Sequence, residues 1–169
     1  MVMMLSNLAT SLYLGFALLA SSPAMLSKTS DDTLWIESGS AHHSFSVEVA
    51  RTPDDQRRGL MYRREMARDA GMLFPFDEER IANFWMKNTY ISLDIIFLDE
   101  MGTITSIAER TVPRSLKTSN SGRRVSGVLE INGGLSQELG IKVGDIVHHN
   151  TFDNAESCPK DSLSGEGCQ

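Results

Sequence analysis

The sequence predicts a mainly β protein of the α+β class: a small, mostly antiparallel, barrel-like domain with two short helices. Three observations carry that expectation. Apolar runs of strand length recur between turn residues, notably at 71–76, 93–98 and 127–132. Residues 45–50 alternate apolar and polar with a period of two, the pattern of a strand with one face buried. Helix start and stop signals occur at only two places, with no regular strand–helix alternation and no internal repeat. At 169 residues and 41% apolar, the chain can bury one core and is small for two.

Taken in order, residues 1–24 read as a signal peptide. Leu8 to Ala20 is an apolar run of 13 residues, shorter than the roughly 20 that a helix needs to cross a bilayer. It leads into Ser22-Pro23-Ala24, a small-x-small cleavage pattern, although Met1 to Asn7 holds no Lys or Arg. Cleavage near Ala24 would leave a periplasmic or secreted chain with no transmembrane span. Residues 25–40 are a polar linker and a short strand at Thr33–Glu37, and residues 41–149 form a single β-rich domain. Residues 150–169, rich in Gly, Ser, Asn and charge, are expected to be a disordered tail. Both cysteines, Cys158 and Cys168, fall in that tail. The domain therefore has no thiolate nucleophile and no Cys-based zinc site, and in an oxidising compartment the pair could close a short loop.

Within the domain, Phe45, Val47 and Val49 should face inward, with Ser46 and Glu48 on the opposite face. Thr52-Pro53-Asp54-Asp55 is a helix start: a capping hydroxyl, a proline at the first position and two carboxylates at the positive end of the dipole. This helix should reach about Tyr62, packing Leu60 and Met61 and leaving Gln56, Arg57 and Arg58 wet. Gly71–Phe76 is extended, with Pro75 confining it to an edge or a strand end. Asp77–Arg80 reads as a polar loop. Beyond it Phe84 and Met86 should face one side, Trp85 and Lys87 the other.

Leu93–Leu98 should pair with Thr103–Glu109 across an Asp99–Gly102 turn, placing Ile104 and Ser106 opposite Thr105 and Ile107. Arg110 to Arg124 reads as a long basic loop, and Gly127–Asn132 as another strand. Leu135 and Leu139, spaced i, i+4, mark a short helix stopped by Gly140 in the left-handed conformation. Ile141–His149 is a turn feeding a last strand.

Several separated segments resemble one known family. They are Gly59-Leu60-Met61-Tyr62-Arg63, Gly71-Met72-Leu73-Phe74, Phe84-Trp85-Met86-Lys87-Asn88-Thr89, Leu93-Asp94-Ile95-Ile96-Phe97, Leu129-Glu130 and Gly144-Asp145. In this order they resemble the domain-of-unknown-function 192 family over roughly Phe45 to Val147. Ser92 stands where that pattern usually has proline. The resemblance implies a compact β-rich domain, often exported, and brings no catalytic residue with it.

The sharpest candidate site is Trp85, Lys87, Asn88 and Asp94, joined by Glu130 and Arg63. An aromatic face beside amide, ammonium and carboxylate groups suits a polar or saccharide-like ligand. The structural alternative has Trp85 plugging the barrel mouth and Asp94 accepting backbone donors. Glu130 interrupts an apolar strand on the face it shares with Val128. It therefore needs either a cavity or a partner, for which Lys87 and Arg63 are candidates. Glu48, Asp94, Glu109 and Glu130 are the carboxylates from which a hydrolase of envelope polymers would draw a pair.

His42-His43 and His148-His149 would meet only if the first and last strands were neighbours, and no spacing matches a metal motif, so no metal and no cofactor are expected. No nucleophile elbow or phosphate-binding glycine loop is present. A net charge of −6 argues against nucleic acid. The cluster Arg110, Arg114, Lys117, Arg123 and Arg124 could instead meet an anionic envelope component. The leading expectation is thus an exported, non-enzymatic binding module for a polar small molecule or glycan. The alternatives are the hydrolase and an accessory interaction protein acting through the basic loop.

Overall fold

The structure, a computed structural model, describes residues 33–152 and 154. The expected signal peptide, most of the linker and most of the tail, with its two cysteines, lie outside the described residues. Seven strands, β1 (Thr33–Ser38), β2 (Ala41–Val49), β3 (Ala70–Phe84), β4 (Leu93–Leu98), β5 (Ile104–Ala108), β6 (Ser119–Asn132) and β7 (Ile146–His148), form one sheet. Their order is β5-β4-β6-β3-β2-β1-β7. The sheet curls until its edges touch, where Thr103 bridges Ile146 and the Val147 amide donates to the Gly102 carbonyl at 2.8 Å. Every strand pair is antiparallel except β2–β3. A parallel pair needs a crossover, and residues 50–69 supply one that carries helix α1 (Pro53–Arg58).

The curl has two apolar faces. Inside it, side chains from all seven strands meet, among them Leu34, Phe45, Leu73, Ile96, Ile104, Leu129 and Val147, closed below by Leu135 of α2 (Leu135–Leu139). Outside it, Phe74, Leu93, Ile95, Phe97 and Val128 form a second cluster with Leu60 and Met86. Strand β4 lies between the two and is buried at every position. An all-apolar run such as Leu93–Leu98, broken by one carboxylate, is what such a two-sided strand requires.

Four local expectations are corrected. Helix α1 starts on Thr52, whose hydroxyl accepts from the Asp55 amide at 3.1 Å, but it stops at Arg58 because Gly59 turns out of it with φ +46°. Asp77–Arg80 is no loop: β3 runs straight through it, with Phe76–Glu79 bulged against the single residue Ser126 between the pairs Pro75↔Gly127 and Arg80↔Val125. Pro75 therefore sits within the strand. Its carbonyl accepts from Gln56 Nε2 at 2.9 Å on the side that β2 has already left, so no ladder donor is missed there. The supposed basic loop ends early, because Ser119–Arg124 belongs to β6. Finally, the β4–β5 register slips between Phe97↔Ser106 and Leu98↔Ile104, which lets Ile104 and Ile107 pack on the same core.

Candidate functional site

A cavity of about 560 Å³ opens beside the outer apolar cluster. Its roof is α1 and the turn after it, through Gln56, Arg57, Arg58, Leu60 and Met61. Phe74, Arg80, Asn83 and Phe84 of β3 form one wall, and Trp85, Lys87, Asn88 and Thr89 the other. Glu130 of β6 enters from the sheet. The expected group Trp85, Lys87, Asn88 and Glu130 is thereby brought together.

Glu130 is the unusual member. It pairs with Met72 on one side and Ile95 on the other, so its side chain leaves the sheet on the apolar outer face with Val128. Only 5% of it is exposed. Among the described residues no cation or hydrogen-bond donor meets its carboxyl. Burial alone pushes its pKa from 4.5 to about 8. The carboxyl is therefore mostly protonated at neutral pH and presents one donor and one acceptor to the cavity. The conflict between Val128 and Glu130 is resolved: the valine packs, and the glutamate lines open space.

The opposite wall is held by a clasp between two non-glycine residues of positive φ, Tyr62 (φ +66°) and Asn88 (φ +58°). The Tyr62 amide donates to the Asn88 carbonyl at 2.8 Å, and Asn88 Nδ2 donates to the Tyr62 hydroxyl at 3.0 Å. Asparagine tolerates this conformation and tyrosine does not, so the paired bonds help to hold Tyr62 in it. Trp85 stays 47% exposed with the Lys87 ammonium 5.1 Å from its ring. The indole forms a shelf at the mouth and does not plug it.

Two predicted members are elsewhere. Asp94 is fully buried and accepts from the amides of Arg110 (2.7 Å), Gly134 (2.8 Å) and Ser136 (2.9 Å). It caps the start of α2, which has no side-chain cap of its own. Arg63 makes a two-pronged ion pair with Glu48, which holds that carboxyl below its usual range, so it is not the partner of Glu130. Nor is Lys87, which turns to the indole. Of the carboxylates offered for hydrolysis, Glu130 alone reaches the cavity.

Sequence reading missed Gln56, Arg57 and Arg58, which it left wet, Arg80, which it put in a loop, and Asn83, which it did not single out. The only available signal was that α1 carries no apolar residue, as a roof over open space would not. The histidine pairs end on either side of β1. His148 stacks on Trp35 at 3.7 Å and meets Glu37 at 3.2 Å, while His42 lies 5.1 Å from the same ring. An indole occupies the place between them, and no three-residue His, Cys, Asp or Glu cluster able to hold a metal occurs among the described residues.

Fold and site together define a small β-rich domain whose curled sheet carries, on its outer face, a cavity of mixed polar and aromatic lining with Glu130 as its one carboxyl. The family model for DUF192, described as an uncharacterized ACR, matches residues 34–149, and the chain belongs to that family. No curated protein matches the chain. Two solved structures are similar. One, from Sinorhizobium meliloti 1021 and provisionally labelled a transcription regulator, is 41% identical with a TM-score of 0.69, over 71% of this chain and 94% of that one. The other, a protein of unknown function from Novosphingobium aromaticivorans DSM 12444, is 40% identical with a TM-score of 0.67, over 69% of this chain and 83% of that one.

Proposed function

We propose that this protein is a non-enzymatic binding module, exported to the cell envelope, whose cavity takes a polar, ring-bearing ligand of saccharide type. The observation that carries this reading is the buried Glu130 carboxyl, which meets no ion-pair or hydrogen-bond partner among the described residues, beside the aromatic side chains of the cavity. Its raised pKa favours the neutral form at neutral pH. A hydroxyl both donates and accepts, and so does a neutral carboxyl, whereas an ionised one only accepts. The Trp85 shelf suits the apolar face of a sugar ring, and Asn83 and Lys87 offer donors around it. A volume of about 560 Å³ accommodates a small ligand.

Hydrolysis of a glycosidic bond needs a second carboxyl roughly 5–10 Å from the first, and the lining residues supply one carboxyl only. A regulator of transcription, the label borne by the Sinorhizobium structure, would bind nucleic acid, and a net charge of −6 works against such binding. Export rests on the apolar run and cleavage pattern before Ala24.

The test is a thermal-shift screen of mono- and disaccharides on the wild type and on Trp85→Ala. A sugar that raises the melting temperature of the wild type, and binds the variant about tenfold more weakly, supports the reading. If no sugar shifts the wild type, or the shift is the same without the indole, the saccharide assignment is wrong. Fractionation of cells expressing the native N-terminus tests export separately; an uncleaved chain in the cytoplasm removes the envelope from the proposal.

A further inference from the structure

Around the cavity mouth, three segments are tied into one surface. The Met86 amide donates to the Ser115 carbonyl at 3.0 Å, the Arg114 amide to Thr89 at 2.9 Å, and the Tyr62 amide to Asn88 at 2.8 Å. Residues 60–64, 84–92 and 110–118 are thus neighbours. They contain six basic residues and no Asp or Glu, in a chain whose net charge is −6. The flanking acids in sequence, Glu65 and Glu109, fall just outside. Two of the six bases are engaged: Arg63 with Glu48, and Arg110 with Gln137 Oε1 at 2.9 Å. Arg64 lies over the Tyr90 ring at 6.0 Å. Lys87, Arg114 and Lys117 make no ion pair among the described residues.

The same surface is also apolar in a particular way. Val112 is 69% exposed and Leu116 68%, on either side of a turn in which Ser115 N donates to Val112 O at 3.2 Å. Pro113 at the second position and Arg114 at φ +62° give that turn its type II form, so the loop has a fixed shape. Trp85, Tyr62 and Tyr90 are exposed beside it.

We infer that this face docks on an anionic lipid bilayer, with Val112 and Leu116 entering the headgroup–acyl boundary, Trp85 and the tyrosines at headgroup level, and Lys87, Arg114 and Lys117 on lipid phosphates. Charge complementarity selects an anionic partner. The projecting aliphatic pair selects a bilayer over a soluble polyanion, because a polyanion gives valine and leucine nothing to enter. The aromatic residues have the amphipathic rings typical of membrane interfaces.

The experiment is flotation of the full chain with vesicles of phosphatidylcholine, with and without phosphatidylglycerol, read together with tryptophan emission. Trp35 is buried in its histidine stack, so an emission change reports Trp85. The inference expects binding that needs phosphatidylglycerol and a blue shift of emission. Arg114→Gln with Lys117→Gln should weaken binding about fivefold per charge, and Val112→Ser with Leu116→Ser about tenfold per residue. These exposed positions should leave the melting temperature unchanged. Binding that leaves Trp85 emission fixed and all variants equal would place attachment at the N-terminal apolar segment and overturn the inference. Equal binding of heparin by the wild type and the Val112→Ser, Leu116→Ser variant, with no vesicle binding, would overturn it in favour of a polyanion surface.

Discussion

Replacing Glu130 by glutamine keeps the shape of the side chain and removes its ionisation, which makes it the sharpest probe of the cavity. The folded-state pKa of about 8 lies above the ordinary value of 4.5, so the folded protein holds a proton that the unfolded chain has released. Between those values the native state binds more protons than the unfolded state, and stability must fall as pH rises. The contribution is complete below pH 4.5, declines by about 1.4 kcal/mol per pH unit through the window, and is gone above about pH 8. At neutral pH roughly 3 kcal/mol has been lost. Glu130→Gln carries no such penalty. Wild type and variant should therefore be nearly equal in stability at pH 4, with the variant ahead by about 3 kcal/mol at pH 7 and by about 5 kcal/mol at pH 9. Urea unfolding of both proteins across that range measures the difference. Taking the difference cancels the other carboxylates, including Glu48, whose lowered pKa acts at more acid pH. Parallel pH profiles for the two proteins would mean that Glu130 ionises with a partner or in water, and the argument from a neutral carboxyl would fail.

Other perturbations test the frame around the site. Asp94→Ala leaves the buried amides of Gly134 and Ser136, and the half-buried one of Arg110, without their acceptor, and should cost about 3–5 kcal/mol in urea unfolding, however small the side chain lost. Gly102→Ala drives a Cβ into the Val147 carbonyl oxygen at a φ of +73°, so the seam between the β5 edge and β7 should part. Hydrogen exchange should then accelerate at Val147 and Ile104 before the rest of the sheet, at a cost of about 2 kcal/mol or more.

The fold was largely legible because most of its signals are local. Period-two alternation placed β2, the Thr52-Pro53 pair placed the start of α1, and Gly140 placed the end of α2. What sequence could not show depends on which strands become neighbours. Asp94 in an apolar run reads equally well as a ligand group or as a cap, and only the adjacency of β4 and β6 brings Gly133–Ser136 within its reach. Arg63 looked free to serve Glu130 until the crossover placed it against Glu48. Asp77–Arg80 is polar enough for a loop because a bulged stretch of strand is wet as a loop is. By contrast, the Glu130 reading needed no contacts. Alternation alone put a carboxylate on an apolar face, and a cavity is one of the two ways in which a strand can tolerate that.

The other half of the site follows from where β2 ends. Its pairing with β3 stops at Val49↔Leu73, while β3 continues for eleven residues to Phe84. The outer face beyond that point has lost its neighbour, and α1 is the element laid over the gap. A helix meant to seal an apolar face would carry Leu or Met at i, i+3 and i+4. This one reads Pro-Asp-Asp-Gln-Arg-Arg and buries none of its residues. Gln56 spans the opening, donating to the carbonyls of Ala50 at 3.2 Å and Pro75 at 2.9 Å, so the helix is fixed in place by backbone acceptors and not by packing. The space beneath it stays open because the helix itself brings no apolar side chain to fill it. Glu130 stays unpaired because Gln56, the roof residue that reaches inward, spends both its donor and its acceptor elsewhere, the latter on Arg80. The vacancy and the neutral acid facing it thus have one cause, a polar helix anchored over an apolar sheet. A ligand able to satisfy that acid would complete the face that the chain itself leaves unfinished.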